Sequence, residues 1–298
     1  MTTNGDMHAL EPPQRVSGMR VPEGWTLSGK PEGLSAAAAD AWRQSGFLLG
    51  EELRRLEAGF DLEVLIAASG YTPRARTMGM AALASLWSRA LLSASDAVAL
   101  VRRGAYQSAA PLIRQAIEHV AAQAALHEEP DAFTHWAIEA YERDEQARAE
   151  EVGLGHFFGG EAIARDEALR PIYRAAGDLG RPNFGPTALF SAADAGRQRY
   201  PLVFADEAFH LGWAQLLLGW LVQIDASQLH LALHAPGHFP AAQELRDEAV
   251  AHVRASEALL AAGDRCRLEE HTDAEGRRRH LIDNFRRRPG DAPKRILL

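Results

Sequence analysis

Residues 78–128 decide the fold of this chain, and they read MGMAALASLWSRALLSASDAVALVRRGAYQSAAPLIRQAIEHVAAQAALHE. In the first half, apolar and small residues recur at steps of three and four, which is typical of one face of an α-helix. Arg102 and Arg103 precede Gly104, and basic residues followed by glycine are typical of a helix end. The pattern therefore predicts a helix over 78–101. Its inward face consists of Leu83, Trp87, Ala90, Leu91, Ala94, Ala97, Val98 and Val101.

A second helix is predicted over 106–128. Ser108 is a possible cap, which would place Pro111 in the first turn, where a proline removes an N–H group that has no partner. Alanines line the inward faces of both helices, and such small side chains allow close packing. The sequence therefore predicts a central antiparallel hairpin that holds Arg114 and Glu118 inward. The inward face of this helix consists of Leu112, Ile113, Ala116, Ile117, Val120, Ala121 and Ala124.

The rest of the chain also predicts helices, and it predicts no strand. Alternating β-branched runs are missing, and so are Asn-Gly or Asp-Gly turns between apolar segments. We therefore expect an all-α protein, a single helical bundle of about seven to nine helices. We expect an irregular N-terminal arm over 1–33, the bundle over 34–264 and a polar, Arg-rich C-terminal tail over 265–298. Further helices are predicted from Ser35 onward and over 51–68, 130–152, 161–176, 204–235 and 240–262, with an irregular loop over 177–186.

The composition is that of a globular protein, since 47% of the 298 residues are hydrophobic and 24% are charged. The single cysteine, Cys266, excludes a disulfide framework and a zinc site built from several thiolates. The longest apolar stretch, residues 213–224, is shorter than the roughly 20 residues of a membrane-spanning helix. The first residues lack the basic and apolar segments of a secretory signal. We therefore expect a cytoplasmic protein without membrane association.

Positive charge is concentrated near the end of the chain. Residues 277–298 contain eight basic and two acidic residues, although the whole chain has a formal net charge of −8. Such a segment is typical of an arm that binds RNA or another acidic partner. A flexible tail that closes against the acidic body of the protein fits the same pattern.

Residues 100–119 read LVRRGAYQSAAPLIRQAIEH, with a Gly104-x-Tyr106 turn followed by Arg114 and Glu118 one helical turn apart. This segment resembles the helical hairpin of HEPN-like proteins (higher eukaryotes and prokaryotes nucleotide-binding), in particular an uncharacterised bacterial family with an Arg-x-x-x-Glu helix. The resemblance covers residues 80–128 and, more loosely, 170–226. It implies an all-helical protein that binds RNA or phosphate in a defence or stress process.

The resemblance also implies a site. Tyr173 and Arg181 fall in the stretch that matches a later motif of the family, so the two residues are expected to converge with Arg114 and Glu118 inside the bundle. There the arginines and Tyr173 would bind phosphate, and Glu118 would orient one arginine. The alternative for Arg114 and Glu118 is an ordinary ion pair between helix neighbours.

HEPN ribonucleases are also known by an arginine and a histidine separated by four to six residues, and Arg114 with His119 fits that spacing. The implied catalytic residues are Arg114, Glu118 and His119. In that chemistry, histidine deprotonates a ribose 2′-hydroxyl and arginine stabilises the charged transition state, without a metal or other cofactor. Arg181 stands where the family has a histidine before proline. The alternative of a non-catalytic protein that acts through binding or as a homodimer therefore remains.

Two other classes of function fit parts of the sequence. Glu207 and His210 form a Glu-x-x-His pair, which on a helix would present both side chains to one metal, as in a di-iron oxygenase. A di-iron centre needs a second such pair, which the sequence lacks. His230, His234 and His238 offer a further metal site, with helix-end histidines as the alternative. The remaining class is an interaction scaffold whose basic tail binds a partner.

Overall fold

The computed structural model describes residues 18–70, 77–128, 163, 165–182, 184–191, 198–199, 201–235, 239–276 and 278–298. In these residues the protein is mostly helical, with eight helices and one small sheet, which confirms the predicted all-α class. The helices are α1 (Ala36–Leu48), α2 (Gly50–Gly70), α3 (Met78–Arg102), α4 (Tyr106–Glu128), α5 (Leu169–Gly180), α6 (Phe184–Ser191), α7 (Leu211–His234) and α8 (Gln243–Leu260). The strands are β1 (Arg267–Thr272), β2 (Arg278–Phe285) and β3 (Lys294–Leu297).

Helices α3 and α4 form the predicted antiparallel hairpin. Gly104 has a φ of +82°, and it ends α3 in a left-handed conformation that glycine adopts without strain. The N–H groups of Gly104 and Ala105 donate to the carbonyls of Val101 and Leu100, which satisfies the last turn of the helix. The facing sides of the two helices meet through fully buried small residues. These include Ala94, Ala97, Ala109, Ala110 and Ala116.

Helix α7 is the most completely buried helix among the described ones, and it packs against α2, α3, α4 and α8. By length and composition it is the one described helix that could cross a membrane, but 72% of its most apolar stretch is buried inside the protein. It begins at Leu211 and not at the predicted Phe204, because the preceding residues are not helical and Ala205 has a φ of 52°. The N–H groups of Leu211 and Gly212 have no partner in the helix and donate to the carbonyls of Arg287 and Arg286.

The prediction that the chain has no strand is wrong for its last thirty or so residues. The three strands pair antiparallel in the order β1-β2-β3, and Leu268 faces Ile282 in the register. Ile282 and Phe285 are buried, and the ring centroid of Phe285 lies 5.1 Å from that of Trp213 on α7. The segment expected to be a tail is therefore a sheet that closes one side of the bundle. Its strands were missed because they are short and lack the alternating β-branched runs that indicate a strand in a sequence.

Two further expectations are corrected. Residues 177–180, predicted to be irregular, continue α5, and Phe184 begins α6. Asp166 fixes the start of α5, since its Oδ1 atom accepts hydrogen bonds from the N–H groups of Ala168 and Leu169 at 2.9 Å. The helix predicted over 130–152 lies outside the described residues.

Residues 18–34 form no helix or strand and run along α2. Two carboxylates of α2 hold this segment, because the Trp25 N–H group donates to Asp61 Oδ1 at 2.7 Å and the Leu27 N–H group donates to Glu57 Oε1 at 3.1 Å. Helix α1 follows, with the Ser35 hydroxyl accepting from the Ala38 N–H group at its start.

Candidate functional site

Three side chains of α4 and α5 form a closed ring of hydrogen bonds. Arg114 and Glu118 lie one turn apart on α4, and Arg114 Nε donates to Glu118 Oε1 at 3.1 Å. Tyr173 lies opposite them on α5; its hydroxyl accepts from Arg114 Nη2 at 2.8 Å and donates to Glu118 Oε1 at 3.1 Å. The guanidinium carbon of Arg114 lies 4.7 Å from the centre of the Tyr173 ring. The structure thus brings together three of the four residues that the sequence predicts to converge.

Arg114 is held in one orientation and keeps its charge. Its side chain is 30% exposed, and although burial by itself lowers the pKa of Arg114, the hydrogen bonds to Glu118 and Tyr173 outweigh burial and raise it. Helix α5 approaches closely at Gly177, where a Cβ atom would lie 3.1 Å from Arg114 Nη1. The absence of a side chain at Gly177 therefore leaves the space in which the guanidinium group lies.

The ring borders a cleft of about 380 Å³ between α4, α5 and the sheet. Arg181, the fourth predicted residue, lines the same cleft and is exposed. Four guanidinium groups line the cleft, against one side-chain carboxylate among the described residues, that of Asp178. The lining residues are Arg114, Tyr173, Arg174, Gly177, Asp178, Arg181, Arg279, His280 and Leu298.

The arginines of the cleft differ in how firmly they are paired. Arg174 Nη1 lies 3.8 Å from Glu270 Oε1, and Arg279 Nε donates to Asp273 Oδ2 at 3.4 Å, so both pairs are long. Arg181 has no ion-pair partner in the described part of the chain. Because the pairing is weak, much of the positive charge of the cleft is available to a ligand.

Strand β2 contributes two residues that the sequence did not predict, Arg279 and His280. The Leu298 N–H group donates to the His280 carbonyl at 2.9 Å, which fixes the end of the chain beside β2. His280 is buried, and its Nε2 atom lies 3.9 Å from Glu270 Oε1. Burial lowers the pKa of His280, and the charge of Glu270 opposes this shift only in part. The imidazole is therefore neutral near pH 7.

His119, the predicted catalytic histidine, does not line the cleft. It is buried on α4, and its Nε2 atom has no hydrogen-bond partner among the described residues. Burial lowers the pKa of His119, and the charge of Arg89 on α3 lowers it further. Five residues along an α-helix rotate a side chain by about 140°, so His119 faces α3 while Arg114 faces α5. The structure does not bring the predicted catalytic pair together.

The metal alternative depends on a helix that the structure does not have. Glu207 and His210 precede α7 in a non-helical segment, so they do not share a helical face. Glu207 Oε2 accepts from the Ser35 hydroxyl at 2.7 Å, and buried His210 lies with its Nε2 atom 3.8 Å from Asp206 Oδ2. Within the described ranges, no group of three or more His, Cys, Asp or Glu side chains is arranged to hold a metal ion.

The histidines at the end of α7 pack against each other. The rings of His230 and His234 lie 4.1 Å apart, and His234 Nδ1 is hydrogen-bonded to the His230 carbonyl at 2.8 Å. His238, the third member of that predicted group, lies outside the described residues.

The bundle core contains a second polar cluster, which the sequence did not predict. Glu63 on α2 accepts a hydrogen bond from Trp87 Nε1, and His252 Nε2 lies 2.8 Å from Asp225 Oδ2. Burial raises the pKa of Asp225 to about 8 and raises that of Glu63, while burial lowers the pKa of His252 to about 4. Asp225 and His252 are therefore mainly neutral at pH 7, and the raised pKa of Glu63 favours its neutral form as well, which fits their position in the core.

No protein-family model, no curated protein and no solved structure matches this chain. The resemblance of α3 and α4 to HEPN-like proteins therefore stays a prediction.

Proposed function

We propose that the cleft binds phosphate groups and that RNA supplies them. The observation that carries this proposal is the cluster of Arg114, Arg174, Arg181 and Arg279 around a single lining carboxylate side chain in the described residues. Guanidinium groups match the oxygens of a phosphate in geometry and stay charged at physiological pH. A cluster of them therefore favours a phosphate ligand.

Two arginines of the cleft differ in how firmly they are held. Arg114 is fixed by Glu118 and Tyr173, so it loses little freedom when a phosphate binds. Arg181 is exposed and unpaired among the described residues, so it can move to meet a second oxygen or a neighbouring phosphate. A fixed and a mobile cation together bind a chain of phosphates more readily than one fixed cation does.

RNA is favoured as the source of the phosphate for two reasons. The resemblance of α3 and α4 to nucleotide-binding HEPN-like proteins points to this class of ligand. A cleft of about 380 Å³ also suits one nucleotide-sized group, so a single strand fits better than a rigid duplex. The acidic charge of the rest of the protein would direct the strand to this face.

Binding without cleavage is the activity that the geometry supports best. A general base must come within about 2.6–3.2 Å of the hydroxyl that it deprotonates. The Nε2 atoms of His119 and His280 are both buried, and His119 faces away from the cleft. The cleft thus offers cations for the phosphate but no well-placed base among the described residues.

The proposal is tested by fluorescence anisotropy with a labelled single-stranded RNA of twelve nucleotides. We expect Arg181→Ala and Arg279→Ala each to weaken binding about three- to tenfold, because each removes a phosphate contact. Arg254→Ala is the matched control, since Arg254 is exposed on α8 and does not line the cleft. It should leave the affinity unchanged.

Other results would overturn the proposal. Wild-type protein that fails to bind the RNA, or a double Arg181→Ala, Arg279→Ala variant that binds like wild type, contradicts it. A labelled phosphopeptide that binds more tightly than RNA would retain the phosphate cleft but reject RNA as its ligand. Cleavage of the RNA by wild type and not by Arg114→Ala would restore the ribonuclease prediction.

A further inference from the structure

A second cavity, remote from the cleft, lies between residues 18–25 and helices α2 and α3. Its volume is about 640 Å³, within the range of small-molecule sites. Apolar side chains form most of its wall. None of its lining residues belongs to the cleft proposed to bind RNA. The wall includes Val21, Trp25, Val64, Met80, Leu91 and Leu92.

The cavity has an apolar inner end and a cationic mouth. Met80, Trp87 and Glu63 line it and are all buried, at 2–4% exposure. Arg20 and Arg89 also line it and are exposed, so their guanidinium groups lie toward solvent. In the described part of the chain neither arginine has a carboxylate partner. A ligand that enters would meet cations first and hydrocarbon beyond them.

Two polar side chains of the cavity wall, Glu63 and Trp25, differ in their hydrogen bonding. The Glu63 carboxyl is bound to Trp87 Nε1. The Trp25 Nε1 atom, in contrast, is buried in the wall formed by the N-terminal segment and has no hydrogen-bond partner among the described residues. A buried N–H group without an acceptor costs about 1–3 kcal/mol.

We infer that this cavity binds a single-chain amphiphile with an anionic head, of the fatty acid class. The aliphatic chain fills the apolar end, and the carboxylate pairs with Arg89 and Arg20 at the mouth. A compact polar anion should bind more weakly than an amphiphile, because most of the wall is apolar and an ion without an aliphatic chain gains nothing from it. This inference does not depend on the proposed RNA binding.

The test is titration of the whole protein with decanoate and, in parallel, with decan-1-ol, which has the same chain without the charge. Binding is followed by calorimetry and by tryptophan fluorescence, since Trp25 and Trp87 both line the cavity. We expect decanoate to bind more tightly than decan-1-ol. Arg89→Glu should lower the affinity for decanoate by about tenfold or more and change the affinity for decan-1-ol by less than about twofold.

Two variants fill the cavity and decide whether binding occurs there. Ala84→Trp should abolish the binding of both compounds, and Ser88→Trp, at an exposed lining position, serves if Ala84→Trp does not fold. Arg254→Glu is the control for a charge reversal elsewhere and should bind decanoate like wild type. Wild-type protein that fails to bind decanoate overturns the inference. Unchanged binding by a folded cavity-filling variant overturns it as well, because the ligand would then occupy another site.

Discussion

The Tyr173 hydroxyl donates a hydrogen bond to Glu118 Oε1 at 3.1 Å, across 55 positions of the chain. The Tyr173 hydroxyl also accepts a hydrogen bond from Arg114 Nη2, so this one hydroxyl group joins α5 to both charged residues of α4. Without it, Arg114 and Glu118 would be an ordinary ion pair on a half-exposed helix face, and such pairs contribute little to stability. With it, the guanidinium group is fixed at the edge of the cleft.

Replacing Tyr173 by phenylalanine removes this link. We expect Tyr173→Phe to lower the free energy of unfolding by only about 0.5–1.5 kcal/mol, because the lost hydrogen bonds are partly exposed. RNA binding should weaken about threefold or more, since Arg114 then has to be ordered by the ligand. Urea unfolding and anisotropy measure the two effects. An unchanged affinity would show that the ring does not orient Arg114.

Tyr106→Phe should affect stability and leave RNA binding unchanged. The Tyr106 hydroxyl accepts a hydrogen bond from the buried backbone N–H group of His210 at 3.0 Å, and neither residue lines the cleft. Its loss leaves a buried donor without an acceptor, which costs about 1–3 kcal/mol. We expect a larger loss of stability in urea than for Tyr173→Phe, together with unchanged RNA affinity. The reverse order of the two effects would contradict this account of the two tyrosines.

Gly177→Ala separates stability from binding. Alanine is favoured over glycine inside a helix by about 0.5–1 kcal/mol, which offsets the weakened hydrogen bonds of Arg114, so the variant should have a stability close to that of wild type. The new Cβ atom would lie 3.1 Å from Arg114 Nη1 and should displace the guanidinium group. RNA affinity should therefore fall. Gly180→Ala is the control, because the nearest atom to its Cβ would be Pro111 Cγ at 3.4 Å, an ordinary contact.

The buried cluster around Asp225 predicts how stability depends on pH. The pKa of Asp225 is raised to about 8 from 3.8, so its contribution to stability is complete below about pH 4 and is lost as the pH rises through 8. The pKa of His252 is lowered to about 4 from 6.5, so its contribution is complete above pH 6.5 and is lost as the pH falls through 4. The two effects oppose each other between pH 4 and 6.5.

Between pH 6.5 and 8 only the carboxyl effect remains, so the free energy of unfolding should fall as the pH rises through this range. Asp225→Asn should reduce the slope, because one of the two carboxyl groups with a raised pKa, Asp225 and Glu63, is gone. Asp40→Asn is the control, since Asp40 is exposed on α1 and the Arg43 guanidinium holds its pKa below the ordinary value. Equal slopes in wild type and Asp225→Asn would refute the prediction.

Salt provides a measurement that is specific for phosphate contacts. The logarithm of an RNA affinity falls linearly with the logarithm of the salt concentration, with a slope of about 0.7 for each phosphate contact with a single strand. We expect Arg181→Ala to reduce that slope by about 0.7, the value for one phosphate contact. An affinity that falls with an unchanged slope would mean that Arg181 supports the fold and does not contact phosphate.

The sequence predicted the parts of the site that depend on helical periodicity. The steps of three and four over 78–128 are enough to place α3 and α4 side by side, and Arg114 and Glu118 then follow from the four-residue spacing. Tyr173 and Arg181 were predicted from a resemblance to a later motif, and they line the same cleft. Arg114 and Glu118 could be predicted from the sequence because the helical spacing that places them is local.

The sequence did not predict Arg279 and His280, which come from a strand about 160 positions after Arg114. Their place depends on how the sheet packs through Phe285 against Trp213, and the three short strands lack the alternating β-branched run that would reveal this packing. The core cluster had a visible signal that was not used. Asp225 is a lone carboxylate in the apolar run of α7, and a buried charge of this kind needs a partner.

The most direct test of the phosphate cleft is to observe the arginine side chains themselves. In a nitrogen-15 NMR spectrum, the Nε–H signals of Arg114, Arg181 and Arg279 can be assigned by single substitution and followed as single-stranded RNA is added. The account predicts that these three signals shift together and saturate at one RNA per chain, while the signal of Arg254 does not move. Saturable binding that leaves the three cleft signals unchanged would contradict it.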